Sequence, residues 1–96
     1  MRKADLINNI SEKTGIPKVD VLVTVEALFK EIKDSLRTDE NVYVRGFGSF
    51  IVKKRAKKIG RNIKKNTAIE IPAHNIPAFK PAKMFVEQVK NEVKAD

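Results

Sequence analysis

Apolar residues first recur at helical spacing. Leu6, Ile7 and Ile10 fall on one face of residues 3–14, among Lys3, Asp5, Asn8, Asn9 and Glu12, which predicts a short amphipathic helix. The tract Thr14-Gly15-Ile16-Pro17 ends it, offering a left-handed cap and then a residue that cannot continue the helix. From about residue 18 to 37 the pattern resumes as Val21, Val25, Leu28, Phe29, Ile32 and Leu36, with Glu26, Lys30, Glu31, Lys33 and Asp34 elsewhere round the cylinder. Leu22 widens this stripe beyond the seam of a two-stranded coil, and one short antiparallel neighbour cannot cover it.

After the turn-like Thr38-Asp39-Glu40-Asn41 the period changes to two, and Val42, Tyr43 and Val44 read as a short strand. Arg45-Gly46-Phe47-Gly48 breaks it with a tight reversal that drops an aromatic ring into the core and leaves backbone N–H groups free. From Ser49 the chain runs extended through Phe50, Ile51 and Val52 into alternating basic and small residues up to Ile59, and a second strand returns with Ile69, Ile71 and Pro72. Lys64-Lys65-Asn66-Thr67 lies between them, with Asn66 best able to tolerate a positive φ. The expectation is a β-hairpin with few large apolar residues in its distal half. At about 3.3 Å per residue, one strand from Ser49 to Asn62 spans roughly 45 Å, so its far half must project from the body as a two-stranded ribbon. Pro72, Pro77 and Pro81 punctuate the return, and Pro81 suits the first turn of a last helix whose apolar face is Ala82, Phe85, Val86, Val89 and Val93.

Charge alters this picture because it is local. Between Glu40 and Glu70 stand nine basic residues (Arg45, Lys53, Lys54, Arg55, Lys57, Lys58, Arg61, Lys64 and Lys65) and no acidic one. Removing those nine from the 20 basic residues leaves 11 against 12 acidic, a net of −1, so this one stretch carries +9 and accounts for the chain's net +8. A block of one sign is ordinarily a disordered tail or a solvated face. Here the charges lie within an alternating apolar pattern, which such tails lack. A basic ribbon points to a polyanionic partner, nucleic acid before an anionic membrane surface. The membrane reading needs a basic amphipathic helix, and the excess charge is not on a helix.

The 96 residues make one domain, 1–96, with an arm at about 52–71, near the size at which a single core barely suffices. With no cysteine to staple it, the chain is expected to gain stability by pairing through its second helix, Phe47, Phe50 and Phe79. The N-terminus lacks the apolar stretch of a signal peptide and no apolar run approaches the roughly 18 residues of a membrane span, so a cytoplasmic location is expected.

An ordered series carries a resemblance. Gly46-Phe47-Gly48-Ser49-Phe50 is followed by Arg55, then Gly60-Arg61-Asn62, Ile71-Pro72-Ala73 and Pro77-Ala78-Phe79-Lys80. The chain resembles the bacterial histone-like HU/IHF family along essentially its whole length. The resemblance implies an α+β fold: an intertwined dimer with an N-terminal helical hairpin, a three-stranded antiparallel sheet bearing a long β-ribbon arm, and a C-terminal helix. HU and IHF are established minor-groove architectural proteins, so it also implies paired arms that bend double-stranded DNA and organise the nucleoid. On this chain, Lys53, Arg55, Lys58 and Arg61 match arm positions that touch backbone or groove floor, with Lys57, Lys64 and Lys65 adding charge. Asn62 and Ile63 fall at the tip. Lys3, Lys80 and Lys83 match body positions at flanking phosphates, and Gly46 and Gly48 flank a turn whose backbone meets a phosphate.

The tip departs from the family. Ile63 stands where most members carry a wedging proline, and Lys65-Asn66 replaces the usual Thr-Gly. Ordering a free isoleucine on insertion costs side-chain entropy that a proline ring does not lose, so backbone attraction is expected to carry relatively more of the affinity and sharp kinking less. Ala82 replaces a frequent glycine and favours the helix start.

Rival functions have less support. A lone His74 without cysteine, and carboxylates scattered over helical faces, offer neither a metal site nor a nucleophile with its base, so neither enzymatic activity nor a cofactor is expected. A ribosomal RNA-binding protein would want an aromatic stacking platform, yet Tyr43 is the only tyrosine and the five phenylalanines read as core. A sequence-specific IHF-like factor is the nearer alternative. The arm has few Asn or Gln to read base edges, so binding is expected to be largely sequence-independent and to favour bent or distorted DNA. A homodimer is expected, with a heterodimer alongside a paralogue the other possibility.

Overall fold

The computed structural model describes residues 1–62 and 67–95. They form two compact units, residues 1–35 and the remainder from Leu36.

The first unit is a helical hairpin. Helix α1 spans Lys3–Thr14. Its start is held by the Arg2 backbone N–H donating to the Asp5 carboxylate at 2.8 Å, which satisfies a donor that the first turn leaves over. At its end the Gly15 N–H donates to the Ser11 carbonyl at 2.9 Å, and the Ser11 hydroxyl reaches forward to the Ile16 carbonyl at 2.6 Å. Helix α2 spans Lys18–Arg37. Pro17 opens it as well as closing α1, for its carbonyl accepts from both Asp20 and Val21 N–H. Among the described residues Ile7 and Val21 are the only buried apolar side chains. Leu22, Leu28 and Phe29, all in the predicted stripe, remain exposed.

The second unit begins with a turn at Asp39, whose φ is 61° and whose N–H donates to the Leu36 carbonyl. Strands β1 (Val42–Val44), β2 (Gly48–Arg55) and β5 (His74–Pro81) make an antiparallel sheet in the order β1-β2-β5. Phe50 faces Val42 on one side and Phe79 on the other. The Asn41 side chain extends the ladder beyond β1 by accepting from the Val52 N–H at 3.0 Å. Pro77 and Pro81, which lack an N–H, sit on the edge strand β5, where no ladder partner is required on the outer side. Strands β3 (Lys58–Asn62) and β4 (Thr67–Ile71) form a separate two-stranded ribbon. Helix α3 spans Lys83–Glu92.

Two expectations are corrected. The single long strand is interrupted at Ala56-Lys57, with a matching interruption at Pro72-Ala73 on the return. The pairing reads Arg55↔His74 before the break and Lys58↔Ile71 after it, so Pro72 falls opposite Lys57, where it has no N–H to give to the ladder. Pro81 ends β5 instead of starting the last helix; Ala82 is the N-cap and its carbonyl accepts from Val86 N–H at 2.9 Å, while Val93 lies just past the final turn.

Four phenylalanine rings organise the second unit. Phe79 lies 5.1 Å from both Phe47 and Phe50, and Phe85 of α3 stacks on Phe47 at 5.4 Å, within the range of favourable aromatic pairs. This cluster is nevertheless open: Phe47 and Phe79 keep 43% and 40% exposure.

Candidate nucleic-acid interface

Antiparallel pairing of β2 with β5 gathers residues distant in sequence into one cleft. Gly46 has φ 80°, the conformation of the third residue of a type II turn, and the Phe47 N–H closes that turn on the Val44 carbonyl at 3.0 Å. The turn is tied to the start of α3 by Ala82 N–H donating to Phe47 carbonyl at 2.9 Å. Between these pieces opens a cleft of about 380 Å³ lined by Tyr43, Arg45, Gly46, Gly48, Ser49, Lys80 and Lys83, among others. Four of the predicted site residues, Gly46, Gly48, Lys80 and Lys83, therefore share one concavity with Arg45. Of the backbone N–H groups expected to be free at this reversal, that of Phe47 is used within the turn.

Gly48 has a packing reason of its own. A Cβ there would lie 2.6 Å from the Phe79 ring and 2.7 Å from the Lys80 carbonyl oxygen, closer than atoms approach. Any larger residue at this position would force the Phe79 ring or the β5 backbone to shift.

The basic ribbon distributes its charge by register. Residues directly opposite in an antiparallel pair share a face. Lys53 and Arg55 therefore lie on one face with Ile76 and His74, and Lys54 lies on the other with Asn75. Beyond the break, Arg61 shares a face with Ala68 and Ile59 with Glu70, whereas Lys58, Gly60 and Asn62 face Ile71, Ile69 and Thr67. Both faces of the ribbon thus carry cations. Of the predicted tip pair Asn62 and Ile63, Ile63 lies outside the described residues, as do Lys64, Lys65 and the Asn66 expected to tolerate a positive φ.

Two predicted contacts already have carboxylate partners. Lys57 Nζ is 2.7 Å from Glu70 Oε1, an ion pair linking the break to the distal ribbon. Lys3, in the helical hairpin, pairs with Glu26 at 2.8 Å. The hydrogen bond from Lys3, and next its charge, hold the Glu26 carboxyl below its ordinary value; desolvation opposes them and Lys33 adds a weaker pull. Arg45, Tyr43, Ser49 and Glu70 belong to this surface but not to the sequence-predicted set. Arg45 was visible in the basic block, whereas the others needed the strand register to be placed. Among the described residues no group of three or more His, Asp or Glu side chains is placed to hold a metal ion, and no helix is long and apolar enough to cross a membrane.

A helical hairpin followed by a three-stranded sheet, a basic two-stranded ribbon and a closing helix defines a class of β-arm proteins. The family model described as bacterial DNA-binding protein matches residues 1–90. The chain belongs to that family, whose members are architectural DNA-binding proteins and not enzymes. It is 42% identical over 90 residues to the DNA-binding protein HU of Geobacillus stearothermophilus, covering 94% of this chain and 100% of that one. A prophage-derived HU of Bacillus subtilis is equally similar, at 42% over 94% of this chain and 98% of its own. Among solved structures, an Anabaena HU–DNA cocrystal aligns with a TM-score of 0.88 at 35% identity, covering 93% of this chain and 97% of that one. HU from Thermotoga maritima aligns at 0.66 and 28% identity, covering 93% and 98%.

Proposed function

We propose that two copies of this chain pair through their apolar faces and bend double-stranded DNA with two basic ribbons laid in the minor groove, binding largely without regard to sequence and serving nucleoid organisation. The observation that carries this reading is the placement of the basic block: its described residues lie along the ribbon and at the cleft beneath it, on a fold that superposes on an HU bound to DNA. In this reading Lys53, Arg55, Lys58 and Arg61 follow the DNA backbone and groove floor. Lys80, Lys83 and the Gly46 turn hold a flanking phosphate in the cleft, and Ile63 is the tip wedge. Lys3 and Lys57 exchange Glu26 and Glu70 for phosphate. Both pairs are exposed, so the exchange is inexpensive. Pairing of two chains is supported by the open aromatic cluster and by an apolar groove of about 460 Å³ beside it, lined by Phe79, Pro81, Phe85, Val86, Val89 and Lys90.

The test is binding of the purified protein to a plain duplex, a nicked or four-way-junction duplex and a defined-sequence duplex across roughly 50–300 mM salt. If about six to ten phosphates are neutralised per dimer, affinity falls roughly 10³- to 10⁵-fold between about 50 and 200 mM salt. Tighter binding to distorted DNA with that slope supports the proposal. A strong preference for one sequence persisting at high salt instead assigns the sequence-specific, IHF-like role, and a flat salt response removes the electrostatic premise.

A further inference from the structure

His74, the only histidine of the chain, opens β5 at the base of the distal ribbon, directly opposite Arg55. Its Nδ1 lies 3.0 Å from the Pro72 carbonyl oxygen, inside the break. A carbonyl can only accept, so Nδ1 is the nitrogen that carries hydrogen, and Nε2, across the ring, is the one that gains a proton when imidazole becomes imidazolium. The side chain is exposed.

Directly opposed residues share a face with Cβ atoms about 4.5–5.5 Å apart, so Nε2 serves the same side of the ribbon as the Arg55 guanidinium. The charged groups around it are Arg55 across the pair, Lys53 on the same face of β2, and Lys57 in the break with its ion-pair partner Glu70. On β5 itself the next residues, Asn75 and Ile76, carry no charge. A DNA backbone that engages Arg55 brings phosphate oxygens to this face. An opposite charge within about 4–6 Å favours the charged form of a titratable group.

From this geometry, and resting on the DNA-binding reading above, we infer that His74 is a proton-linked phosphate contact. The imidazolium donates Nδ1–H to the Pro72 carbonyl and Nε2–H to a phosphate oxygen. DNA binding then takes up a proton at each arm, and affinity rises as pH falls. The charge-assisted contact is expected to be worth about three- to tenfold in affinity for each engaged arm.

The experiment measures affinity for one nicked duplex at about pH 8 and pH 5.5, at constant salt, for the wild type, His74→Gln and His74→Lys. Calorimetry in buffers of different ionisation enthalpy counts the protons taken up. The wild type is expected to tighten on acidification and to take up protons. His74→Gln is expected to lose both effects, and His74→Lys to bind tightly at both pH values without uptake. A role confined to the hydrogen bond at the break predicts that His74→Gln weakens binding by one factor at both pH values. That result overturns the inference, as does an unchanged pH response in His74→Gln. Absence of binding by the wild type at either pH overturns the DNA-binding reading as well, so the two failures are distinct.

Discussion

Replacing Gly48 by alanine tests the packing of the sheet more sharply than any other single change. The new Cβ would meet the Phe79 ring at 2.6 Å and the Lys80 carbonyl oxygen at 2.7 Å, and the second of these is backbone held by pairing with β2. Relief must come from the ring or from the strand. Moving the Phe79 ring loosens its 5.1 Å contacts with both Phe47 and Phe50, each worth about 0.5–1.5 kcal/mol. Moving the strand strains the ladder, and overpacking of this kind costs about 1–3 kcal/mol. Either route gives a loss of about 1–3 kcal/mol. For a chain of this size that lowers Tm by at least about 4 °C. Gly46→Ala is the control, since nothing lies within 4 Å of its Cβ and only the φ of 80° is unfavourable, a cost of about 1–2 kcal/mol. Thermal and urea unfolding, followed by circular dichroism at one protein concentration, should place both variants below wild type, with Gly48→Ala at least as destabilised as Gly46→Ala. A Gly48→Ala protein as stable as wild type but weakened in DNA binding would mean that the glycine is there for phosphate approach and not for packing.

Other outcomes follow from the same structure. Val89 is half exposed in the single chain, so Val89→Glu should cost about 0.5 kcal/mol or less in a monomer. In a paired one it buries an unpaired carboxylate and should dissociate the dimer, as read by sedimentation. Glu70→Gln frees Lys57 from its 2.7 Å partner and should tighten DNA binding by about 1.4- to fivefold per arm at low salt, because an exposed pair of this kind is worth about 0.2–1 kcal/mol; unchanged affinity in a fluorescence titration would mean that Lys57 does not reach DNA. The Glu26 carboxyl is held low in the folded chain, so the stability it contributes is complete above the unfolded glutamate value and is lost as pH falls through the lowered folded one. Tm profiles of wild type and Glu26→Gln should therefore converge at acid pH and separate towards neutrality.

The local elements were legible because each is written in a contiguous period. The three- and four-residue steps from Val21 to Leu36 mark α2, and the switch to alternation at Val42 marks β1. What required the structure was cross-strand register. Nothing in the order of residues near 56 says that Pro72 will fall opposite Lys57, and hence that the long strand must break there. The same blindness hid the Lys57–Glu70 pair and the joining of Arg45 and Ser49 with Lys80 and Lys83 in one cleft. Proline has two compatible uses near a helix start, and only the pairing of β5 with β2 decides that Pro81 ends a strand. Ile63 keeps its assignment from resemblance, and Lys64 and Lys65 keep theirs from their place in the basic block.

The break removes the same number of residues from each strand, so the ribbon emerges from it in phase with its base. Arm length is therefore a separable property of this fold. Adding two residues to each strand at the break extends the reach by about 7 Å with every side chain still on its original face. One added to a single strand instead turns that strand's distal side chains over relative to their partners. Divergence in how much DNA such a chain spans can proceed by matched pairs of insertions, leaving the body and its core untouched.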